Sequence, residues 1–203
     1  MSAQSISLVG MPGCGKSTVG RQLARQLGRE FVDTDAECER RAGMSVRELF
    51  AERGEEAFRD LEQEVIDEVT EGGGRIIATG GGAVLRPSNR DALRSRTHVF
   101  YLRATPEELY RRLRHDTQRP LLQVADPLAR LRELYRERDP LYRRVAHYVA
   151  EGARPSVAGL FGMVLMQLEL AGLVDRERVP PAGATVHLAD AGRTFGGGPR
   201  RRR

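Results

Sequence analysis

The chain has 203 residues, of which 40% are hydrophobic and 30% charged, and its formal net charge is +5 at pH 7. These values predict one globular domain of ordinary composition, and no apolar run approaches the ~20 residues that a membrane-spanning helix needs. Seven basic and three acidic side chains follow Val174, so residues 1–173 are nearly neutral, which argues against a nucleic-acid-binding face across the domain.

The first predicted elements are a short apolar strand over residues 6–9 and a helix over residues 17–27. Between them, residues 10–18 read Gly-Met-Pro-Gly-Cys-Gly-Lys-Ser-Thr and match the phosphate-loop pattern G-x-x-x-x-G-K-[ST] at every fixed position. A glycine loop at a helix N-terminus is an arrangement that binds phosphate through backbone N–H groups. Strand, loop and helix therefore predict a nucleotide-binding site.

Lys16 is the single lysine among 33 basic side chains. A compact ammonium can reach the β- and γ-phosphates in so tight a turn, whereas the wide guanidinium of arginine is a poor substitute. We expect the Ser17 hydroxyl to take a Mg²⁺ position. The predicted nucleotide-binding residues of the loop are Gly13, Cys14, Gly15, Lys16, Ser17 and Thr18.

Further along the chain, apolar stretches alternate with helical patterns. Strands are predicted over residues 31–32, 75–79, 99–102 and 147–150. Helices are predicted over residues 35–41, from a capping box at 45–48, over 55–69 and 87–96, after Thr105, over 127–145 with an interruption at Pro140, and over 155–173. This alternation predicts an α/β fold with a five-stranded parallel sheet and helices on both faces.

Three polar features follow predicted strands: the phosphate loop, the Asp33/Asp35 pair and the glycine run Gly80, Gly81 and Gly82. Ligands of such sheets bind at the carboxyl ends of the strands, so we expect the three features to converge at one edge. Asp33 could hold the water shell of a metal ion. Asp35 could meet a substrate hydroxyl and accept its proton.

Two arginines complete the candidate site. Arg59 and Glu62 are three residues apart on a predicted helix, so the acid can brace the arginine, and Arg138 is the second candidate. Two converging guanidinium groups suit a carboxylate or a phosphate on the acceptor. The guanine-recognition pattern Asn-Lys-x-Asp is missing, which argues against a GTPase.

At this point the chain resembles the shikimate kinases, which belong to the nucleoside-monophosphate-kinase-like group. The resemblance rests on the phosphate loop, Asp33-Thr-Asp35, Phe58-Arg59-x-x-Glu62, Gly80–Gly82, Arg119-Pro-Leu-Leu122 and Arg138-x-Pro-Leu-Tyr142, in family order across roughly residues 4–172. It implies a three-layer P-loop kinase fold with a mobile lid at about residues 115–126. It also implies transfer of the ATP γ-phosphoryl group to the 3-hydroxyl of shikimate, with Mg²⁺, on the route to chorismate and the aromatic amino acids.

Carried over to this sequence, the resemblance gives each residue a role. Lys16, Asp35 and Arg119 would be catalytic, with Arg119 reaching the transferring phosphate as the lid closes. The shikimate-binding set would be Asp35, Arg59, Gly80, Gly81, Gly82 and Arg138. Arg112 and Pro155 would lie near the adenine, with Arg119 also on the nucleotide. Ser17 and Asp33 would serve the metal.

Two other functions stay open. A related small-molecule kinase, such as a gluconate or nucleoside monophosphate kinase, would share most of these features. A nucleic-acid-binding protein would use the tail, residues 174–203, which we predict to be disordered and which ends in four arginines. We interpret that end as a solvated charge run.

Cell compartment and assembly are expectations only. Cys14 and Cys38 suit a reduced cytoplasmic enzyme, and the few residues before the first strand leave no room for a signal peptide. Members of the resembled family are mostly monomers, and no membrane partner is expected.

Overall fold

A computed structural model describes residues 4–114, 124–151 and 156–174. The strands are Ser5–Val9 (β1), Glu30–Asp33 (β2), Arg75–Ala78 (β3), Thr97–Leu102 (β4) and Tyr148–Ala150 (β5). The helices are Lys16–Leu27 (α1), Thr34–Ala42 (α2), Val46–Thr70 (α3), Pro87–Arg96 (α4), Pro106–Leu113 (α5), Pro127–Val145 (α6) and Val157–Leu170 (α7). Each predicted strand is present, with ends shifted by at most two residues.

The five strands form one parallel sheet in the order β2-β3-β1-β4-β5. β1 is therefore central, between β3 and β4, and its register pairs Leu8 with Ala78 on one side and with Phe100 on the other. Parallel strands need crossovers, and the helices supply them. The predicted α/β architecture is confirmed, and the loops that follow β1, β2 and β3 meet at one edge.

The core lies on both faces of the sheet. The larger cluster packs α1, α4, α6 and α7 against β1 and β4, whose apolar side chains are almost all fully buried. The smaller cluster joins α2 and α3 to Ile77 of β3 through Cys38, Phe58 and Val65. The site loops are thus fixed to strands that are covered on both faces.

Helix starts follow the chemistry of their caps. Ser45 accepts from the Glu48 N–H at 3.2 Å while Glu48 accepts from the Ser45 N–H at 2.7 Å, the capping box that the sequence predicts. Thr105 and Glu108 form a second capping box at the start of α5. Gly54, with φ 83°, breaks the helical geometry inside α3, so the helices predicted to begin at residues 46 and 55 form one element with a kink.

The predicted interruption at Pro140 is wrong. Helix α6 continues without a break from Pro127 to Val145, with Pro140 inside it. A proline removes one hydrogen bond and disfavours the helix interior, but here tertiary contacts hold the turn on both sides. Asp139 accepts hydrogen bonds from Tyr101 and Arg103, and the Tyr142 hydroxyl donates to the Gly81 carbonyl.

Several predictions fall on residues outside the described ranges. They are Arg119 with residues 115–123 of the predicted lid, Pro155, and residues 175–203 of the predicted tail. Within the described ranges, every helix is too short or too polar to cross a bilayer.

Candidate active site

A cavity of about 580 Å³ lies where the loops after β1, β2 and β3 converge. Its wall is formed by the phosphate loop, by the start of α2, by Thr79 and Gly81 after β3, and by residues from α5 and α7. The predicted convergence of three polar features is therefore confirmed. The members of the wall are Pro12, Gly13, Gly15, Lys16, Ser17, Thr18, Asp33, Asp35, Ala36, Glu39, Thr79, Gly81, Arg112, Leu113 and Val157.

The phosphate loop needs its glycines for two reasons. Gly13 and Gly15 have φ of 80° and 104°, a region that residues with a Cβ rarely adopt. A Cβ on Gly13 would also approach the Leu113 side chain to 2.6 Å. The loop therefore stays narrow, and α1 begins immediately at Lys16 with its first N–H groups directed into the cavity.

Lys16 is buried, with 8% of its surface exposed. Its Nζ donates to the carbonyl oxygens of Gly10 at 2.8 Å and Met11 at 3.0 Å. The ammonium is thus held by backbone dipoles inside the loop, and no carboxylate of the described residues forms an ion pair with it. A polyphosphate entering the loop would meet a positive charge that is already oriented.

Ser17 and Asp33 join the first and second of the converging loops. The Ser17 hydroxyl donates to Asp33 Oδ2 at 2.7 Å, and Asp33 Oδ1 accepts from the N–H groups that begin α2, Asp35 at 3.2 Å and Ala36 at 3.4 Å. One carboxylate therefore caps a helix and faces the phosphate loop. Hydroxyl and carboxylate oxygens are the ligands that Mg²⁺ prefers, so this pair fits a nucleotide-bound magnesium ion.

Asp35 lies one residue inside α2, between the phosphate loop and the glycine run. Burial raises the pKa of its carboxyl group, the nearby Lys16 ammonium opposes that rise, and the Asp33 carboxylate adds to it. A carboxyl group whose pKa is raised toward neutrality is a better proton acceptor than an ordinary aspartate. Asp35 can therefore accept a hydrogen bond or a proton from a bound hydroxyl.

Arg59 is held on α3 by two carboxylates. Its Nη1 donates to Glu62 Oε2 at 2.6 Å and its Nη2 donates to Glu55 Oε1 at 3.0 Å. Glu62 is 1% exposed, and burial raises its pKa while Arg59 opposes that rise. The predicted Glu62 brace is confirmed. Glu62 Oε1 has no partner among the described residues and faces Gly80.

The glycine run after β3 lets backbone lie directly against these side chains. A Cβ on Gly80 would overlap the Asp35 carboxylate, and one on Gly82 would overlap the Arg59 guanidinium. A Cβ on Gly81 would approach Pro12 of the phosphate loop to 2.7 Å. The absence of side chains is thus what brings the acid, the guanidinium and the phosphate loop to the same wall.

Arg138 reaches the same loop from α6. Its Nη1 donates to the Gly81 carbonyl at 3.2 Å, and its buried Nε has no partner among the described residues. Arg138 also acts electrostatically on Glu62 and therefore lies on the Arg59 side of the site. The structure brings both candidate guanidinium groups to the Gly81–Gly82 part of the loop.

Of the remaining predicted residues, Arg112 lines the cavity beside Leu113 and Val157, on the phosphate-loop side. Arg119 and Pro155 lie outside the described residues. The described part of the site therefore contains a polyphosphate loop, an oxygen pair for a metal, one acid and two arginines.

Sequence reasoning missed the role of three residues. The Thr34 hydroxyl accepts from the Gly80 N–H at 3.0 Å, Glu55 is a second brace on Arg59, and the Tyr142 hydroxyl donates to the Gly81 carbonyl at 2.5 Å. Glu55 could have been found, because it lies four residues before Arg59 on the same helix. The other two contacts join residues that are separated in the sequence by 46 and by 61 positions, and no local pattern indicates them.

Comparisons with known proteins point in one direction. A family model described as shikimate kinase matches residues 12–169. A shikimate kinase of Ralstonia nicotianae is 55% identical over 91% of this chain and 95% of its own length. One of Paracidovorax citrulli is 58% identical over 83% of this chain and 94% of its own length.

Solved structures agree. A shikimate kinase from Acinetobacter baumannii in complex with shikimate has a TM-score of 0.78 and 44% identity, covering 85% of this chain and 96% of its own. A gluconokinase from Sinorhizobium meliloti has a TM-score of 0.53 at 19% identity, covering 83% of this chain and 97% of its own, and shares the fold alone.

Proposed function

The chain belongs to the shikimate kinase family, and we propose a residue-by-residue account of its reaction. The enzyme transfers the γ-phosphoryl group of ATP to the 3-hydroxyl of shikimate, giving shikimate 3-phosphate and ADP, a step toward chorismate and the aromatic amino acids.

One observation supports the assignment above the others. The Asp35 carboxylate and the Arg59 guanidinium both lie against the Gly80–Gly82 backbone, and Arg138 bonds to the middle glycine. An acid on one side and two cations on the other match an acceptor that carries hydroxyl groups at one end and a carboxylate at the other. The phosphate loop lies next to the acid, where the phosphoryl donor is needed.

The phosphate loop binds ATP. Backbone N–H groups of residues 13–18 surround the β-phosphate, and Lys16 leaves the Gly10 and Met11 carbonyls to meet the β- and γ-phosphate oxygens. Arg112, with Pro155, contacts the adenine. Arg119 reaches the transferring phosphate when the lid of about residues 115–126 closes, and it neutralises charge that develops there.

Ser17 and Asp33 would hold Mg²⁺, with Asp33 acting through water. The ion neutralises phosphate charge when it is bound. The support is the choice of donors, a hydroxyl and a carboxylate with their oxygens 2.7 Å apart. Asp35 orients the 3-hydroxyl of shikimate and accepts its proton as the oxygen bonds to phosphorus.

The carboxylate of shikimate binds between Arg59 and Arg138. Both guanidinium groups are held in place by other contacts, Arg59 by Glu55 and Glu62 and Arg138 by the Gly81 carbonyl. Such groups lose little conformational entropy when they bind a ligand. The backbone of Gly80–Gly82 completes this pocket, with the Gly81 and Gly82 N–H groups available as donors because the Gly80 N–H is bonded to Thr34.

The enzyme works as a monomer in the cytoplasm. The co-substrate ATP is abundant in that compartment, and both Cys14 and Cys38 are free thiols, as a reducing environment maintains. Nucleic acid has no part in the reaction.

The test is ADP release from ATP and Mg²⁺ with a panel of acceptors. We expect rapid release with shikimate and little with quinate, gluconate or AMP. The Arg59→Ala variant should raise KM for shikimate by about 10-fold or more and leave KM for ATP within about twofold, because Arg59 is assigned to shikimate and not to ATP. Preference for gluconate would transfer the assignment to the related kinase, and an effect of Arg59→Ala on ATP alone would contradict the carboxylate pocket.

A further inference from the structure

The carbonyl oxygen of Gly81 is bound from α6 by two donors one helical turn apart. The Tyr142 hydroxyl donates at 2.5 Å and Arg138 Nη1 donates at 3.2 Å. Gly81 precedes these residues by 61 and 57 positions, so the contact links the loop after β3 to the far side of the fold. The shorter of the two bonds belongs to the tyrosine, to which the account above assigns no role.

The same loop leaves two backbone donors unused. Gly80 N–H donates to Thr34 Oγ1, and Ala83 and Leu85 N–H groups donate to carbonyls within the loop. The N–H groups of Gly81 and Gly82 have no partner within residues 4–114, 124–151 and 156–174. Gly81 lines the cavity. The loop is therefore held by its carbonyl oxygens while two donors beside Arg59 and Arg138 stay available to a ligand.

Tyr142 is itself fixed by its surroundings. Its side chain is fully buried, and its ring lies 4.9 Å from that of Tyr101. Burial raises the pKa of Tyr142, so its hydroxyl keeps its proton at neutral pH and remains a donor. The Tyr101 hydroxyl does not touch the loop and donates to Asp139 Oδ1 at 2.8 Å.

We propose that Tyr142 is a positioning residue of the acceptor site, whose hydroxyl holds the Gly81 carbonyl so that the glycine N–H groups and Arg138 meet the acceptor's carboxylate. The inference rests on the proposed function. Tyr142 touches no reacting atom and acts through the Gly81 peptide.

The presence of two donors on one carbonyl suggests how the effect arises. With the tyrosine hydroxyl in place, the longer bond from Arg138 can be given up when a carboxylate arrives. Without that hydroxyl, Arg138 is the only α6 donor left for Gly81, and binding a carboxylate would leave a partly buried carbonyl without either donor. The free-energy cost of the unpaired Gly81 carbonyl then weakens acceptor binding and leaves nucleotide binding unchanged.

The test is Tyr142→Phe, which removes one oxygen and keeps the ring. We expect KM for shikimate to rise about 10-fold, KM for ATP to stay within twofold and kcat to fall less than threefold. Tyr101→Phe is the matched control, because it removes an equally buried tyrosine hydroxyl with a bond of similar length that does not reach the loop. We expect its KM for shikimate to stay within twofold of wild type.

A second acceptor separates positioning from general loosening. With the methyl ester of shikimate, which has no carboxylate charge, the ratio of KM between Tyr142→Phe and wild type should drop from about 10 to below 3. Equal ratios for acid and ester, or equal effects of Tyr142→Phe and Tyr101→Phe, would overturn the proposal. If Tyr142→Phe melts near the assay temperature, the same comparison is made by calorimetric titration of shikimate at 10 °C.

The test of Tyr142 can fail without the proposed function failing. Wild-type turnover with shikimate alone decides the function. The role of Tyr142 is decided by the KM for shikimate of each variant divided by that of wild type under the same conditions.

Discussion

At Asp35, burial favours the protonated carboxyl group, whereas the proposed role requires the carboxylate. The pKa is raised first by loss of solvent and then by the nearby Asp33 and Glu39 carboxylates, while the Lys16 ammonium and the Arg59 guanidinium limit the rise. A base with a pKa closer to the working pH accepts a proton more readily at the cost of being partly protonated at mildly acidic pH. Activity and stability should therefore both depend on the protonation state of Asp35.

The first prediction concerns the pH–rate profile. Because the pKa of Asp35 is raised, kcat/KM should fall on the acid side through a pKa above the ordinary aspartate value of 3.8. The Asp35→Asn variant should have kcat lower by about 100-fold or more, and the acid limb should be missing from its residual activity. Profiles of the same shape in both proteins would remove Asp35 as the titrating base.

The second prediction concerns stability. A carboxyl group whose pKa is higher in the folded than in the unfolded chain binds its proton more tightly when folded. Its favourable contribution is complete below the unfolded pKa and is lost as pH rises through the folded pKa. At pH 7 the ionised Asp35 therefore disfavours folding, and Asp35→Asn should raise the melting temperature. A lower melting temperature at pH 7, measured by calorimetry, would contradict the sign of the pKa shift.

At the scale of elements, the loop after β3 determines how closely α2, the phosphate loop and α3 approach it. Three consecutive glycines lie against Asp35, Pro12 and Arg59, respectively. None of the three needs a positive φ, since the glycines with positive φ are elsewhere. Their requirement is space, so the effect of a methyl group at each position should depend on the side chain that it would displace.

A pair of alanine substitutions tests this. Gly80→Ala should lower kcat at least 10-fold because the new methyl group overlaps Asp35. Gly82→Ala should raise KM for shikimate about 10-fold because the methyl group overlaps Arg59. Gly162→Ala in α7, where a Cβ meets nothing within 4 Å, is the matched control and should change neither constant. Identical kinetics for Gly80→Ala and Gly162→Ala would mean that the loop has more room than described.

The elements differ in how far the sequence predicts them. Periodic apolar residues and the Ser45–Glu48 capping box place the strands and most helix starts within two residues, because these signals are local. Pro140 led to a wrong prediction of a helix interruption. The tendency of proline to end a helix is overridden here by contacts of Asp139 and Tyr142 with distant segments. The phosphate loop is predicted from its pattern, whereas the Thr34 and Tyr142 contacts depend on which loops the sheet order brings together.

For the whole molecule, the position of β1 explains how one edge of the sheet can bind two substrates. The strand that carries the phosphate loop is central, and β3, which carries the glycine run, is its direct neighbour. Donor and acceptor loops therefore follow adjacent strands, and the described site residues lie between Gly10 and Val157.

The fourth prediction concerns the residues that follow the segment matched by the family model, residues 12–169. Deleting residues 179–203 should leave kcat and both KM values within twofold of the full chain. It should also lower the salt-dependent retention of the protein on immobilised RNA if the arginine end binds polyanions. A kinetic change above 10-fold would assign the tail a part in turnover, and unchanged retention would end the nucleic-acid interpretation.

The burial of Lys16 has a consequence for protein chemistry. Apart from the chain's α-amino group, its ammonium is the only amine in 203 residues, and only 8% of its surface is exposed within the phosphate loop. Acylating reagents that would label many sites on an average protein have one side-chain target here, and that target is shielded. Selective acylation of the α-amino group should therefore be straightforward, and any label on the side chain would report directly on opening of the phosphate loop.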